Sequence, residues 1–447
     1  MSLEELKQKK ILVLGFGKEG KDSYLALRKL FPKKILAIAD KLEFKKLPEK
    51  TQKLLKFDKK LKLYFGKDYL KSLKNYDLII KTPGIPFKII KPFLKKGTKV
   101  TSQTEIFFEN CPGIIVGITG TKGKGTTCCL IYQILKRGGL KAHLIGNIGK
   151  PVFQALLKAK KNDIFVYELS SHQLQNLKKS PQVAVFLNLW PAHLDYYKNF
   201  QEYKKAKENI TRYQRENNFF IYNAQQKELK EIAKISKAKK IPLKNYSQIL
   251  KKIGIKKLLL KGKVNLLNIA AAIKVGEIFK IPEEKIKKAI EEFKPLPHRL
   301  EFVGKYKGIE FYNDSLATVP QATEFALESL GNRVKTLILG GFDRGGIDFS
   351  FLAKKILKSD IKTLIFLSPG TGEKIWQKII DLKKKNLPKA FFVSSMREAV
   401  KEAYQQTKRG EICLLSPASP SFNLFRDYRE RGNLFKKFVK YYGSKSK

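Results

Sequence analysis

The chain is short of acid. Against 91 Lys and Arg it carries only 40 Asp and Glu, a formal net charge of +51 over 447 residues. Cysteine is scarce as well: there are four, two of them adjacent at Cys128 and Cys129. That number and spacing exclude a disulfide-stapled scaffold and any CxxC-type zinc site. Histidine is equally rare, with four in the chain. Long apolar runs are missing, since no stretch approaches the ~20 residues that a membrane span needs. The opening "MSLEELKQKKILVLGFG" lacks the basic, apolar and small-residue succession of a secretory signal. These absences leave a cytoplasmic, soluble globular protein as the expectation, and 43% hydrophobic content agrees with it.

The basic excess is dispersed along the whole chain. A nucleic-acid binder usually gathers its charge on one face or in one tail, so dispersion favours a general lysine bias over a specific polyanion partner. We therefore expect no specific nucleic-acid partner, no membrane partner and a monomer. Anionic substrates are favoured by the charge in either case.

What is present is a repeated alternation of apolar strands and helical patterns, the mark of α/β organisation. "KILVLGFGKEG" runs a buried strand into Gly15, Gly17 and Gly20, and "KILAIADK" ends a second strand at Asp40, 20 residues after Gly20. That is the dinucleotide-fold pattern, with glycines for a tight turn and an acid for a ribose hydroxyl; a purely structural turn is the alternative. "YDLIIKTPGIP" ends in Thr82-Pro83-Gly84 at a strand's C-terminal end. A second α/β pattern begins near residue 103 and a third near "KPLPHRLEFVG", whose paired prolines suggest a linker. The expected domains are 1–102, 103–294 and 295–447.

The chemistry-bearing stretches lie at strand ends. "GIIVGITGTKGKGTT" sets Gly120, Gly123 and Lys124 between an apolar strand and a helix, where backbone N–H groups and a lysine bind phosphates. The spacing departs from GxxxxGK[ST], because position 118 is isoleucine and Gly125 follows the lysine; a glycine turn without nucleotide is the alternative reading. "DIFVYELSSHQL" brings Glu168, Ser170, Ser171 and Gln173 to a strand end, suited to Mg²⁺ shared with phosphates or to helix capping. His172 acquires no role from its position. "VAVFLNLWPAHLDYY" supplies Asn188, His193 and Asp195, and the helix after it carries Lys207 among many lysines, with nothing to single it out. Asn265 and Asn268 stand at i, i+3 on one helix face, able to bond an adenine edge or to satisfy helix packing. His298 and Arg299 adjoin the expected linker. Asn313, Asp314, Ser315 and Thr318 follow a strand, and Ser416, Ser419 and Ser421 form a hydroxyl-rich loop suited to a carboxylate.

Taken in order, "GITGTKGK", "YELSSHQL", "NLWPAHLDYY", "NLLNIAAA", "PHRLEFV", "NDSLAT" and "LLSPASPSF…RGNLF" resemble the ATP-dependent Mur ligases from Leu12 to Phe438, and most closely their D-glutamate-adding branch. The resemblance implies three α/β domains: Rossmann-like, then a central mononucleotide-binding P-loop domain, then a second Rossmann-like domain. It implies ATP-dependent addition of D-glutamate to UDP-N-acetylmuramoyl-L-alanine through an acyl phosphate, in peptidoglycan precursor synthesis, with Mg²⁺. Lys124, Glu168, His193 and Lys207 would be catalytic. Thr126, Glu168, His193 and a carbamylated Lys207 would surround the metal. ATP would contact Gly120, Thr121, Lys122, Gly123, Lys124, Gly125, Thr126, Asn265, Asn268, Arg299 and Asp314. The UDP-sugar would meet Gly17, Lys18, Glu19, Asp40, Gly84, Asn147, Ser170 and Gln173. The amino acid would meet Thr318, Arg344, Ser421, Phe422 and Tyr428.

Three segments depart from the family pattern. Gly125 replaces the hydroxyl after the loop lysine, with Thr126 as the substitute. Leu316 and Val319 interrupt an NDSKATN-like run and remove a lysine. "GGFDRGG" offers Arg344 in place of that cation, where a guanidinium can hold a carboxylate bidentately. The alternatives are a related ligase for another amino acid, a folylpolyglutamate synthase-like ligase, and a non-enzymatic nucleotide- or RNA-binding protein.

Overall fold

The computed structural model describes residues 2–193, 196–255, 258–260, 262–343 and 345–444. Contacts gather the chain into two compact units, Met1–Ile255 with Leu267–Ile290, and Lys256–Leu266 with Glu291–Lys447. Among the described residues, no helix is long and apolar enough to cross a membrane.

The first unit holds two parallel sheets. One is built from β1 (Ile11–Leu14), β2 (Leu36–Asp40), β3 (Leu61–Phe65), β4 (Leu78–Lys81) and β5 (Lys99–Thr101), in the order β3-β2-β1-β4-β5. The other contains β6 (Ile114–Thr119), β7 (Ala142–Gly146), β8 (Ile164–Glu168), β9 (Val183–Phe186), β10 (Phe219–Asn223) and β11 (Lys239–Leu243), in the order β11-β10-β9-β6-β8-β7. Strands such as "ILVL" and "VAVF" are buried along their whole length. That is why they read as unbroken apolar runs: parallel strands are covered on both faces. In the first sheet the order reverses between β1 and β4, and in the second the loops after β8, β6 and β9 become neighbours. Such places, at the carboxyl ends of strands, are where open α/β sheets bind ligands.

One apolar cluster runs through both sheets, from Leu27 and Ile38 to Phe165 and Phe186. The helix Gln103–Asn110, started by a Ser102–Glu105 capping box, carries Phe107 into it, edge-on to Phe165 and Tyr167. Each such side chain contributes roughly 1.5–3 kcal/mol by leaving water.

The second unit is built on β12 (Glu301–Tyr306), β13 (Ile309–Asn313), β14 (Val334–Leu339), β15 (Thr363–Leu367), β16 (Lys389–Val393) and β17 (Ile412–Leu415), in the order β12-β13-β17-β14-β15-β16. One strand departs from the parallel pairing of the rest of this sheet: β12 pairs antiparallel with β13. The physical reason is the short connection at Lys307 and Gly308, both at positive φ. Two residues make a hairpin and cannot make a parallel crossover.

Candidate active site

The phosphate-type loop leaves β6 at Thr119 and enters the helix Lys124–Arg137 through Gly123, whose φ is 84°. Glycine is needed there twice over, for the left-handed backbone and because an added Cβ would lie 2.3 Å from Asn268 Oδ1. That close approach brings Asn268, on the helix Lys263–Ile278, against the loop. Asn188, past the end of β9, holds the loop from the other side. Its Oδ1 accepts from Lys122 N at 2.8 Å, its Nδ2 donates to Lys122 O, and its carbonyl accepts from Thr121 N. Lys124 Nζ curls back onto Gly120 O at 2.8 Å and Thr121 O at 3.3 Å. Gly125 and Thr126 lie buried in the first turns of the helix, and Thr127 Oγ1 is a buried hydroxyl with no hydrogen-bond partner.

Lys207, on the helix Phe200–Arg212, is 1% exposed and reaches the root of this loop. Its Nζ donates to Thr119 Oγ1 at 3.0 Å and Gly120 O at 3.1 Å. Burial holds its pKa well below the ordinary lysine value; the Lys124 charge pushes the same way, and Glu168 opposes both. Glu168, the last residue of β8, is 5% exposed, and its Oε2 is buried without a partner. His193 follows β9 with φ 56° and meets His172 edge-on at 4.9 Å between ring centroids. Tyr196 and Tyr197 pack on the same His172 ring, and Tyr203 lies behind Tyr197 and His193. Asp195 falls outside the described residues. Among those described, no three His, Cys, Asp or Glu residues converge as a metal-binding group.

Beside this loop, a cleft of about 400 Å³ opens between the ends of β1 and β4 on one sheet and β7 and β8 on the other. Gly17, Lys18, Glu19, Gly84, Asn147 and Ser170, all expected to contact a sugar nucleotide, line it together with Asp22 and His172. Gln173 joins them by donating from Nε2 to Glu19 Oε1 at 2.8 Å. Asp40 is not in the lining. Its carboxylate accepts from Phe16 N at 2.5 Å and Leu42 N at 2.7 Å, so it braces the glycine turn.

In the second unit the loops after β13, β17 and β14 are adjacent, as the strand order requires. Asp314 accepts from Leu300 N and Ser416 Oγ. Arg299 is half-buried in the turn before β12, and Asn265 lies half-buried in the first turn of its helix. Thr318 is half-buried ahead of the helix Pro320–Leu330. Ser421 is buried, with an Oγ that has no partner, while Phe422 is exposed and edge-on to Phe342. Tyr428 opens the helix Tyr428–Ser444. Arg344 lies outside the described residues.

Sequence reasoning gave no role to the side chain that ties these loops together. Arg431 is fully buried and donates to Ser315 Oγ, Ser315 O, Ser419 O and Pro420 O at 2.8–3.3 Å. Ser315 Oγ in turn donates to Tyr428 O at 2.7 Å. The only signal in the sequence is an arginine next to glycine in "RGN": Gly432 is where an added Cβ would sit 2.2 Å from His298 Nδ1.

A loop shaped for phosphates, next to a carboxylate with a spare buried oxygen, is equipment for nucleotide-dependent phosphoryl transfer. Comparison with known proteins narrows that class. Residues 118–276 match the Mur ligase middle domain, and residues 298–419 match the Mur ligase, glutamate ligase domain. The chain belongs to the Mur ligase family. A relative from Acetivibrio thermocellus named UDP-N-acetylmuramoylalanine--D-glutamate ligase is 34% identical over 98% of this chain and 97% of its own. One of the same name from Clostridium botulinum is 35% identical over 97% of each. Solved structures share the fold. Thermotoga maritima UDP-N-acetylmuramate-alanine ligase MurC aligns with a TM-score of 0.59 at 18% identity, over 98% of this chain and 100% of its own. The MurF ligase of the same organism, in complex with ADP, gives 0.57 at 16%, over 99% and 98%.

Proposed function

We propose that this chain joins D-glutamate to UDP-N-acetylmuramoyl-L-alanine at the expense of ATP, a cytoplasmic step of peptidoglycan precursor synthesis. The observation that carries the reading is the end of β8. Glu168 pairs in register with Ile118 on the strand that feeds the phosphate loop and acts electrostatically on Lys207 at the loop's root, while Ser170 and His172, two and four residues on, line the cleft. One short segment therefore serves both the phosphate donor and the acceptor.

A carboxylate is a poor electrophile, so the acceptor's L-alanyl carboxylate must first acquire a leaving group. Its oxygen attacks the γ-phosphorus, the bond to ADP breaks, and an acyl phosphate results. The amine of D-glutamate then attacks the acyl carbon, loses a proton, and the C–O bond breaks to release phosphate. Loop N–H groups and Lys124 hold the phosphates, Lys124 exchanging its two carbonyl partners for phosphate oxygens. Asn268, Asn265, Arg299 and Asp314 are assigned to ATP. Gly17, Lys18, Glu19, Asp40, Gly84, Asn147, Ser170 and Gln173 are assigned to the sugar nucleotide, with Asp40 also bracing the glycine turn at Phe16. Thr318, Ser421, Phe422, Tyr428 and Arg344 are assigned to the amino acid, Ser421 offering an unused hydroxyl to a carboxylate. Domain boundaries at 1–102, 103–294 and 295–447 belong to the same reading, supported by one sheet lying within each span.

The unpartnered Glu168 Oε2 suits a hard cation, and Mg²⁺ habitually takes one or two carboxylates with phosphates and water completing its shell. Glu168, His193, Thr126 and Lys207 as its carbamate would surround it, and when bound it would screen charge on the transferring phosphoryl group. Burial supports the carbamate because it favours the neutral form of the amine. From that form the nitrogen bonds to the carbon of CO₂, one N–H proton leaves to solvent, and an anionic oxygen ligand stands where the amine was.

The test is phosphate release with ATP and UDP-N-acetylmuramoyl-L-alanine across a panel of D- and L-amino acids. Release with D-glutamate alone is expected; release with none overturns the reading.

A further inference from the structure

The cleft assigned to the sugar nucleotide holds two acids. A diphosphate diester stays doubly anionic across the neutral range, so an ionised carboxylate in its path repels it. Asp22 is the better satisfied acid: burial raises its pKa and leaves its Oδ1, too, without a partner, but its Oδ2 accepts from two donors, Gln103 Nε2 at 2.6 Å and Phe153 N at 2.9 Å, where Glu19 has one. Glu19 differs. It stands in the first turn of the helix Lys18–Leu30, lines the cleft, and has one oxygen on Gln173 while its Oε2 is buried with no partner. The helix N-terminus beside it favours an incoming anion.

We propose that Glu19 binds the sugar nucleotide as a neutral carboxylic acid, taking up one proton from solvent as the ligand enters and donating it from Oε2 to a phosphate oxygen. The inference rests on the cleft being the sugar-nucleotide site. Several titratable groups surround Glu19: Asp22 and Lys18 on its own helix, Lys81 at the end of β4, Tyr167 on β8, and His172 in the lining of the same cleft; Gln173 approaches from the helix Ser171–Leu174. Burial raises the Glu19 pKa to about 7; Asp22 adds to the rise, while Gln173, Lys81 and Lys18 oppose it. An anion alongside raises it further. The protonated form is therefore already available below about pH 7, and above it binding must draw in a proton. Affinity should fall as pH rises, by up to about tenfold per unit for one linked proton. Lys81 could also take up a proton, since burial lowers its pKa to about 8. Its Nζ, however, is held by the carbonyls of Thr82 and Ile85.

Calorimetry with UDP-N-acetylmuramoyl-L-alanine, run at about pH 7.5 in two buffers of different ionisation enthalpy, measures the uptake directly. The expected result is a substantial fraction of a proton taken up per ligand by the wild-type chain and none by Glu19→Gln. Binding without uptake, or uptake that persists in Glu19→Gln, overturns the proposal and leaves the cleft assignment standing. No binding at any pH overturns both. Should Glu19→Gln fail to fold, Gln173→Ala decides. Losing the donor that favours the charged carboxylate should move the onset of pH dependence upward, and an unmoved onset refutes the role of Glu19.

Discussion

In each unit a buried basic side chain reaches the backbone of the candidate site's loops, and the two residues, Lys207 and Arg431, differ in chemistry. In the first unit Lys207 makes two hydrogen bonds at the root of the phosphate loop. In the second, Arg431 makes four, spanning the loops after β13 and β17. An amine can lose its charge on burial and become a nucleophile, and Lys207 is pushed far in that direction. A guanidinium cannot follow it. Burial brings Arg431 down only to about 9, so it stays charged at neutral pH and acts as a permanent fork of donors. On the proposed function, the contrast separates a side chain placed for chemistry from one placed to hold loops still.

The comparison breaks most sharply at Glu168 and Lys207. Glu168→Ala should abolish ATP-dependent phosphate release while circular dichroism stays unchanged; an active variant would remove the carboxylate from the chemistry. Lys207→Ala should lower kcat by about 10²–10³-fold, the usual scale for losing one group that stabilises charge in the transition state. Short-chain carboxylic acids should restore part of it by supplying the missing anionic oxygens, and failure of rescue counts against the carbamate.

Arg431→Ala should behave differently. It leaves the carbonyls of Ser315, Ser419 and Pro420 without their donor, a cost of about 1–3 kcal/mol for each one that stays dry. A lower melting temperature and a raised KM for the amino acid are expected, with no response to carboxylic acids. Arg431→Lys should recover only part of the stability. If acids rescued Arg431→Ala, the two side chains would not differ as argued.

The smallest effect is expected at Gly123→Ala. The left-handed backbone costs about 1–2 kcal/mol with a Cβ, and Asn268 must also give way. A KM for ATP raised about tenfold with little change in that for the amino acid would place the damage in the phosphate loop. An equal rise in both would not.

What the sequence made legible were strand ends. Gly120–Thr126, Glu168 and Ser315–Thr318 each follow an apolar run, and turn chemistry there is local. What it hid depends on contacts between distant segments. Lys207 lies 88 positions from Thr119 and looks like any lysine on a lysine-rich helix until burial is known. Arg431 meets Ser315 across 116 positions, and Gln173 meets Glu19 across 154. Asp40 shows the converse case. The motif was visible, but the hydrogen bond that its carboxylate accepts from the turn's own backbone at Phe16 N was not. The antiparallel direction of β12 was not legible, because a two-residue hairpin at the sheet edge looks, in sequence, like any other strand end.

The central claim is that a carboxylate is activated by phosphoryl transfer on this scaffold. It is tested most directly by labelling both carboxylate oxygens of the L-alanyl group with ¹⁸O and running the reaction with ATP and D-glutamate. Mass spectrometry of the released phosphate should find one ¹⁸O in each molecule, carried over when the acyl C–O bond breaks. Phosphate released without label, while the amide still forms, would contradict the account.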